Sequence, residues 1–308
     1  MTDDTEVDFR AMPLPEALRW LREHGEPADP RPDIDTASLK RRFPRLADVT
    51  TRDLVVESPH GPQPARAYRD ATAPASGSAL VWVHGGAFIG GYLDMPESNW
   101  VALELASRGI PVLAVDYTKC LGETHHPVPG DDVIAAWQFA RAHARDLLGV
   151  SADALLLGGA SAGGALASAV TGRLRDSAVP LPAGLVLVYP VAHPSGEHPG
   201  ELPDPASPLT QISLNYAGSP EALADPDAFA GNGTGDGFPP TLIVVCEHDG
   251  LRPSGEAFAG QLRDAHVDVT LHVEPGADHA HINEPADPAA HRTLAVIERW
   301  IADRGRQA

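Results

Sequence analysis

A chain of 308 residues with 43% hydrophobic content can bury a large core, and one α/β domain with an appended or inserted subdomain is the expected organisation. Its 42 acidic against 23 basic residues give a formal charge of −19, which argues against a nucleic-acid backbone or an anionic membrane surface as partner. Two cysteines far apart in sequence, Cys120 and Cys246, argue against a disulfide scaffold and read as structural thiols in a reduced compartment.

The acidic start Met1-Thr2-Asp3-Asp4-Thr5-Glu6 has no apolar stretch of signal-peptide length, and no run of about 18 apolar residues occurs anywhere, so a soluble, cytoplasmic protein is expected. Lys40 and Lys119 are the only lysines, an arginine bias of the kind that accompanies a GC-rich bacterial genome.

Residues 1–50 join a short amphipathic piece at 15–24 to a Pro/Asp-rich linker at 27–35 and the basic patch Lys40-Arg41-Arg42. They read as a helical appendage whose Phe9, Met12, Leu14, Leu18, Trp20 and Leu21 need a surface to cover. From there the pattern is regular. Strands are predicted at 53–57, 65–69 and 79–83, a helix at 98–107, a strand at 110–115, a helix at 132–148 and a strand at 154–157. A helix at 162–174 and a strand at 185–189 follow. After a long irregular stretch come a strand at 241–246, a helix at 254–265, a strand at 267–273 and a final helix at 289–302. Strands alternating with helices imply right-handed crossovers and a mostly parallel sheet covered on both faces, an α/β fold.

Residues 192–238 interrupt that rhythm with Pro, Gly, Asp and Ser and one weak helical patch at 211–216. The scattered Leu209, Ile212, Leu214, Tyr216 and Phe229 point to an ordered lid.

Leu155-Leu156-Leu157-Gly158-Gly159-Ala160-Ser161-Ala162-Gly163-Gly164 reads as an apolar strand stopped by glycines, a sharp turn and a helix. Within it Gly159-Ala160-Ser161-Ala162-Gly163 fits the Gly-x-Ser-x-Gly nucleophile elbow, where bare flanking positions let strand and helix approach. A serine hydroxyl needs a base to take its proton and an acid to orient that base. Asp249, after the strand at 241–246, and His279, after the strand at 267–273, stand in the required chain order; Glu247 competes for the acid, and Asp278 and His281 complicate the second site. His84-Gly85-Gly86-Ala87-Phe88, after the strand at 79–83, stands where backbone N–H groups for an oxyanion are needed, with His84 a structural hydrogen-bonder at the loop base. His125-His126 and His279-Ala280-His281 lack zinc-site spacing, and residues 158–164 fit neither a dinucleotide fingerprint nor a P-loop, so no metal or cofactor is expected.

These landmarks, together with Val115-Asp116-Tyr117, Phe238-Pro239-Pro240-Thr241-Leu242-Ile243-Val244, Asp249-Gly250-Leu251-Arg252 and Gly276-Ala277-Asp278-His279, occur in order over about residues 50–305. In this the chain resembles the hormone-sensitive-lipase-like (bacterial family IV) esterases of the α/β-hydrolase fold. The resemblance implies an eight-stranded core at 51–191 and 239–308, with a helical cap built from 1–50 and 192–238. It makes Ser161 the nucleophile, His279 the general base and acid, and Asp249 the orienting acid. The oxyanion hole would lie at Gly86, Ala87 and Ala162, with Gly85 adjacent. Cap placement suggests Trp20, Phe88, Tyr92, Leu214 and Tyr216 as substrate-pocket residues.

Two positions and one stretch depart from the family's pattern. Ala160 stands where Asp or Thr is usual, and Ala87 replaces the third glycine of the oxyanion loop. Thr118-Lys119-Cys120-Leu121-Gly122-Glu123 with His125-His126-Pro127 replaces Arg-Leu-Ala-Pro-Glu-His. The reading is a serine carboxylic-ester hydrolase of small or medium acyl esters. An acyltransferase, amidase or lyase using the same triad, and more remotely a non-catalytic ligand receptor, share its residues. The expected partner is a small-molecule ester, with neither nucleic acid nor membrane, and homodimerisation is left open.

Overall fold

Residues Ala79–Val83 form a fully buried strand, β3, whose side chains alternate between two apolar layers. Val81 and Val83 join one cluster, Leu80 and Trp82 the other. A strand packed on both faces in this way must lie inside a sheet covered by helices on each side. In the computed structural model, which describes residues 12–177, 179–194 and 204–305, that sheet also contains β1 (Thr50–Val56), β2 (Gln63–Arg69), β4 (Val112–Val115), β5 (Leu155–Ala160), β6 (Leu185–Val188), β7 (Thr241–Cys246) and β8 (Val269–Glu274). The order is β1-β2-β4-β3-β5-β6-β7-β8; β2 pairs antiparallel with both β1 and β4, and all other pairs are parallel. This bears out the expected α/β-hydrolase architecture.

Eight helices accompany the sheet among the described residues: α1 (Leu14–His24), α2 (Thr36–Arg42), α3 (Asn99–Ser107), α4 (Val128–His143), α5 (Ala162–Arg175), α6 (Pro208–Ala217), α7 (Arg252–Asp264) and α8 (Pro288–Gly305). One layer receives Val133 and Trp137 of α4, Leu166 and Val170 of α5, and Phe258 and Leu262 of α7. The other receives Leu39 of α2, Trp100 and Leu103 of α3, and Leu294 and Ile297 of α8. Each buried Val, Leu or Ile side chain contributes about 1.5–3 kcal/mol by leaving water. None of the helices among the described residues is long and apolar enough to cross a membrane.

Several boundaries differ from the sequence reading for local reasons. β5 does not stop at Leu157 but runs through Gly158 and Gly159 to Ala160. A Cβ on Gly158 would meet the Val186 carbonyl oxygen at 2.5 Å, and one on Gly159 would meet the Gly163 oxygen at 2.4 Å. Crowding by neighbouring backbone, and not a break, explains those glycines. α4 starts at Val128, four residues early, because Pro129 and Gly130 are tolerated in a first helical turn. The weak patch at 211–216 is a full helix, α6, with Pro208 in its first turn and Gly218 at φ +84° closing it.

The segment 1–50 divides. Ala17 and Leu21 of α1 pack with Ile89 in a small apolar cluster of their own, whereas Leu39 and Leu46 are buried in the α3/α8 layer. α2 is capped by Asp35, whose carboxylate accepts the Ser38 N–H at 2.9 Å and hydroxyl at 2.6 Å. Phe9, and residues 195–203 of the expected insertion, lie outside the described residues.

α5 packs closely against β3. A Cβ on Gly163 would stand 2.1 Å from the Val83 carbonyl oxygen and 2.5 Å from that of His84. Gly163→Ala should therefore cost on the order of 2 kcal/mol or more and lower Tm by about 5 °C or more in a thermal melt. An unchanged Tm would show that the helix is not pressed on this strand.

Candidate active site

Val83 pairs with Gly159 and Ala160 with Val188, so the carboxyl ends of β3, β5 and β6 finish level with one another, with those of β7 and β8 beside them. In a parallel sheet the loops beyond such an edge gather chemistry-bearing side chains from distant sequence. Here they bring together residues 84–91, Ser161, Asp249 and His279.

Ser161 sits between β5 and α5 at φ +53° and ψ −120°, a conformation that costs a non-glycine residue about 1–3 kcal/mol. Its N–H donates to the Val188 carbonyl at 3.0 Å, which ties the turn to the neighbouring strand. The sharp turn aims the hydroxyl outward, and Oγ lies 3.0 Å from His279 Nε2. His279 Nδ1 lies 2.8 Å from Asp249 Oδ2, while Asp249 Oδ1 accepts the Leu251 N–H at 2.9 Å. The Asp249 side chain is only 4% exposed against 37% for His279, so the carboxylate is sequestered behind a ring that water can reach.

The competing residues point elsewhere. Glu247 accepts the Gly276 N–H at 2.7 Å on the surface. His281 is buried between Cys246 Sγ (3.3 Å) and Thr293 Oγ1 (2.7 Å), and burial lowers its pKa. His125 is engaged by the Asn215 carbonyl and His126 by the Tyr216 ring. Ala160 is fully buried in the α3/α8 apolar layer, where a polar side chain would need a partner of its own.

The loop after β3 is coiled tightly. Gly86, Ala87 and Phe88 have φ of +121°, +54° and +62°, and a Cβ on Gly86 would stand 2.1 Å from the Gly90 carbonyl oxygen. Among the described residues the N–H groups of Gly86 and Ala87 are not spent on internal hydrogen bonds. Ala162, as the first residue of α5, has no intrahelical acceptor for its own. Gly85 is different: its N–H donates to Glu97 Oε2 at 2.7 Å, so it is not available to an oxyanion. Gly85, expected next to the oxyanion donors, is thereby corrected to a support of the loop that contributes no donor of its own.

His84 braces the loop from below. Its Nδ1 lies 2.6 Å from the Gly85 carbonyl oxygen, its Nε2 3.1 Å from Asp116 Oδ1, and its ring stacks on Tyr117. Burial alone would raise the Asp116 carboxyl, but the hydrogen bond to His84 and the Lys119 ammonium outweigh it and hold the group far below the usual range. Burial in turn lowers the Lys119 pKa against the opposing pull of Asp116.

Ser161 opens onto a cavity of about 700 Å³ with a mostly apolar wall that includes Met12, Leu14, Phe88, Ile89, Leu209 and Ile212. Its acidic lining residues are Glu26, Glu97 and Asp249, and no Lys or Arg is among those described. Of the five pocket residues suggested by the sequence, Phe88 lines the cavity and four do not. Trp20 packs in the α1 cluster and stacks on His24. Tyr92 accepts the Asp29 N–H through its hydroxyl at 2.8 Å. Leu214 faces solvent at 37% exposure, and Tyr216 is buried behind Phe88 with ring centroids 4.0 Å apart.

The atypical stretch 118–129 fastens α6 in place. His126 N–H donates to the Tyr216 carbonyl (2.7 Å), and the Asn215 amide donates to the Cys120 carbonyl (2.9 Å). Sequence reasoning missed Glu26, which accepts the Gly91 N–H at 2.6 Å, and Glu97 and Asn283, whose partners lie far away in the chain.

Residues 80–283, well over half of the chain, match the α/β-hydrolase-fold family. An ethyl acetate hydrolase of Pseudomonas putida is 32% identical over 260 residues, spanning 77% of this chain and 79% of that protein. Among solved structures, a bacterial heroin esterase aligns with a TM-score of 0.76 at 27% identity, covering 97% of this chain and 93% of that one. Carboxyl esterase 2 of the mycorrhizal fungus Tuber melanosporum aligns with a TM-score of 0.72 at 26% identity, covering 83% and 87%. The sheet order, the family match and these relatives agree: the chain belongs to the hormone-sensitive-lipase-like esterases of the α/β-hydrolase fold.

Proposed function

We propose that this protein is a serine carboxylesterase that cleaves small to medium uncharged esters through an acyl-enzyme. The observation that carries the proposal is the line from Ser161 Oγ through His279 to Asp249, at 3.0 and 2.8 Å, opening onto an apolar cavity.

In this reading Ser161 Oγ bonds to the ester carbonyl carbon as His279 Nε2 takes its proton, and the carbonyl electron pair moves onto oxygen. Asp249 fixes the ring through Nδ1–H and stabilises the imidazolium. The N–H groups of Gly86, Ala87 and Ala162 receive the oxyanion; removal of one such donor typically costs about 10²–10³ in turnover. The tetrahedral adduct collapses, the alcohol leaves with the proton from His279, and water repeats the sequence to release the acid. The exposure of His279 favours water over a second alcohol or amine as acceptor, and so hydrolysis over acyl transfer.

The cavity supports the substrate class. About 700 Å³ leaves room beyond an acetyl group, and the carboxylates in its wall disfavour a second negative charge. The ethyl acetate hydrolase relative, named for a small neutral ester, fits that class. α1 and α6, whose Leu14, Leu209 and Ile212 contribute to the wall, act as a cap over Ser161.

Ser161→Ala should lower kcat for p-nitrophenyl butyrate by about 10⁴ or more; a folded variant with near-parental turnover would refute the mechanism. A charge of like sign about 8 Å from one carboxylate costs about 2 kcal/mol at an effective dielectric of about 20. Monoethyl succinate should therefore show kcat/KM at least about tenfold below that of ethyl butyrate near neutral pH. Equal values would mean that the wall carboxylates do not select substrate.

A further inference from the structure

Glu97 is 2% exposed, and no step of the proposed chemistry uses it. Burying a carboxylate is costly unless its oxygens are hydrogen-bonded, and both are. Oε2 accepts the Gly85 N–H at 2.7 Å and Oε1 accepts the Tyr189 hydroxyl at 2.5 Å. Its main chain is fixed as well: its N–H donates to Asn283 Oδ1 at 3.0 Å and its carbonyl accepts Trp82 Nε1–H at 2.9 Å.

The two side-chain contacts reach opposite halves of the reaction centre. Gly85 immediately precedes the Gly86 and Ala87 N–H groups. It is wedged between Glu97 and the nucleophile, since a Cβ there would meet Glu97 Oε2 at 2.7 Å and Ser161 Cβ at 3.0 Å. Tyr189 follows β6 at φ +38°, its N–H held by the Val244 carbonyl at 2.7 Å. Its ring lies against the His279 imidazole, with centroids 4.8 Å apart and planes at 57°.

Resting on the reading that Ser161, His279 and this loop form the reaction centre, we infer that Glu97 is a positioning residue. It locks the oxyanion loop, through Gly85, and the imidazole, through Tyr189, into one mutual geometry. Misplacement of reacting groups by about 1 Å can cost on the order of 10² in rate, so loss of this lock acts on turnover. Uptake of substrate into the apolar cavity does not depend on it, so KM is spared.

Three variants separate position from charge and from folding. Glu97→Gln keeps both contacts, because its amide oxygen still accepts the Gly85 N–H and its NH₂ donates to a Tyr189 hydroxyl turned to accept. Glu97→Ala removes both. Tyr189→Phe removes one and leaves the ring in place. With p-nitrophenyl butyrate, Glu97→Ala should lower kcat by about 30- to 100-fold with KM within about twofold. Tyr189→Phe should lower kcat by about fivefold, and Glu97→Gln should recover it to within about fivefold of the parent.

Parental kcat in Glu97→Ala or in Tyr189→Phe, a loss carried by KM, or a Gln variant as impaired as the Ala variant would overturn the inference. Where Glu97→Ala does not fold, Tyr189→Phe decides. Ser161→Ala is measured alongside. Activity persisting in that variant would refute the catalytic reading and this inference with it. Its loss, together with unaffected Glu97 and Tyr189 variants, would overturn this inference alone.

Discussion

Strand β5 and helix α5 are joined with a single residue, Ser161, between them, and both are pressed against β3. The Cβ positions of Gly159 and Gly163 are occupied by backbone oxygens of Gly163, Val83 and His84. This close approach leaves the chain one way to turn, with Ser161 at φ +53°. The strain is held by the flanking strand and helix and by the Ser161 N–H bond to Val188. Level strand ends do the rest: once β3, β7 and β8 lie parallel beside β5 and β6, the loops bearing Gly86, Asp249 and His279 arrive at the same edge. The proposed hydrolysis is a consequence of that edge being shared.

A second layer of interactions sets what reaches the serine. α1 and α6 belong to the two segments that break the β/α rhythm, and both contribute apolar side chains to the cavity wall. Residues 118–129, where the chain departs most from the pattern of its family, bind the carboxyl end of α6 through backbone and amide hydrogen bonds. The departure thus fastens one wall of the cavity, and through Lys119 on Asp116 and the Cys120 N–H on the Phe88 carbonyl it also reaches the loop after β3. Glu26 and Glu97 place two of the carboxylates behind the formal charge of −19 at the cavity wall, consistent with a preference for uncharged esters.

Much of this was legible in the sequence because it rests on long periodic segments and on turns with strict chemistry. All eight strands were identifiable, the central ones from apolar runs and β1, β2 and β8 from mixed apolar and polar segments, and Ser161, Asp249 and His279 could each be placed at a strand end. What failed had physical causes. Gly158 and Gly159 read as a strand break because glycine usually ends a strand, whereas here it admits a neighbouring backbone. On α6, Leu209, Ile212 and Ser213 share one helical stripe and line the cavity, while Leu214 lies off that stripe and faces solvent. That period was present in the sequence and would have rejected Leu214. Glu97 gave no local signal, because Tyr189, one of its two side-chain partners, is 92 residues away and the contact exists only after folding.

Covalent trapping reads the proposed role of Ser161 as a nucleophile activated by His279. The purified protein is treated with a fluorophosphonate, followed by intact-mass measurement and peptide mapping. One adduct per chain is expected, on Ser161, with labelling slowed by orders of magnitude in His279→Ala. Absence of an adduct in the folded parent protein, or an adduct on any other side chain, would contradict it.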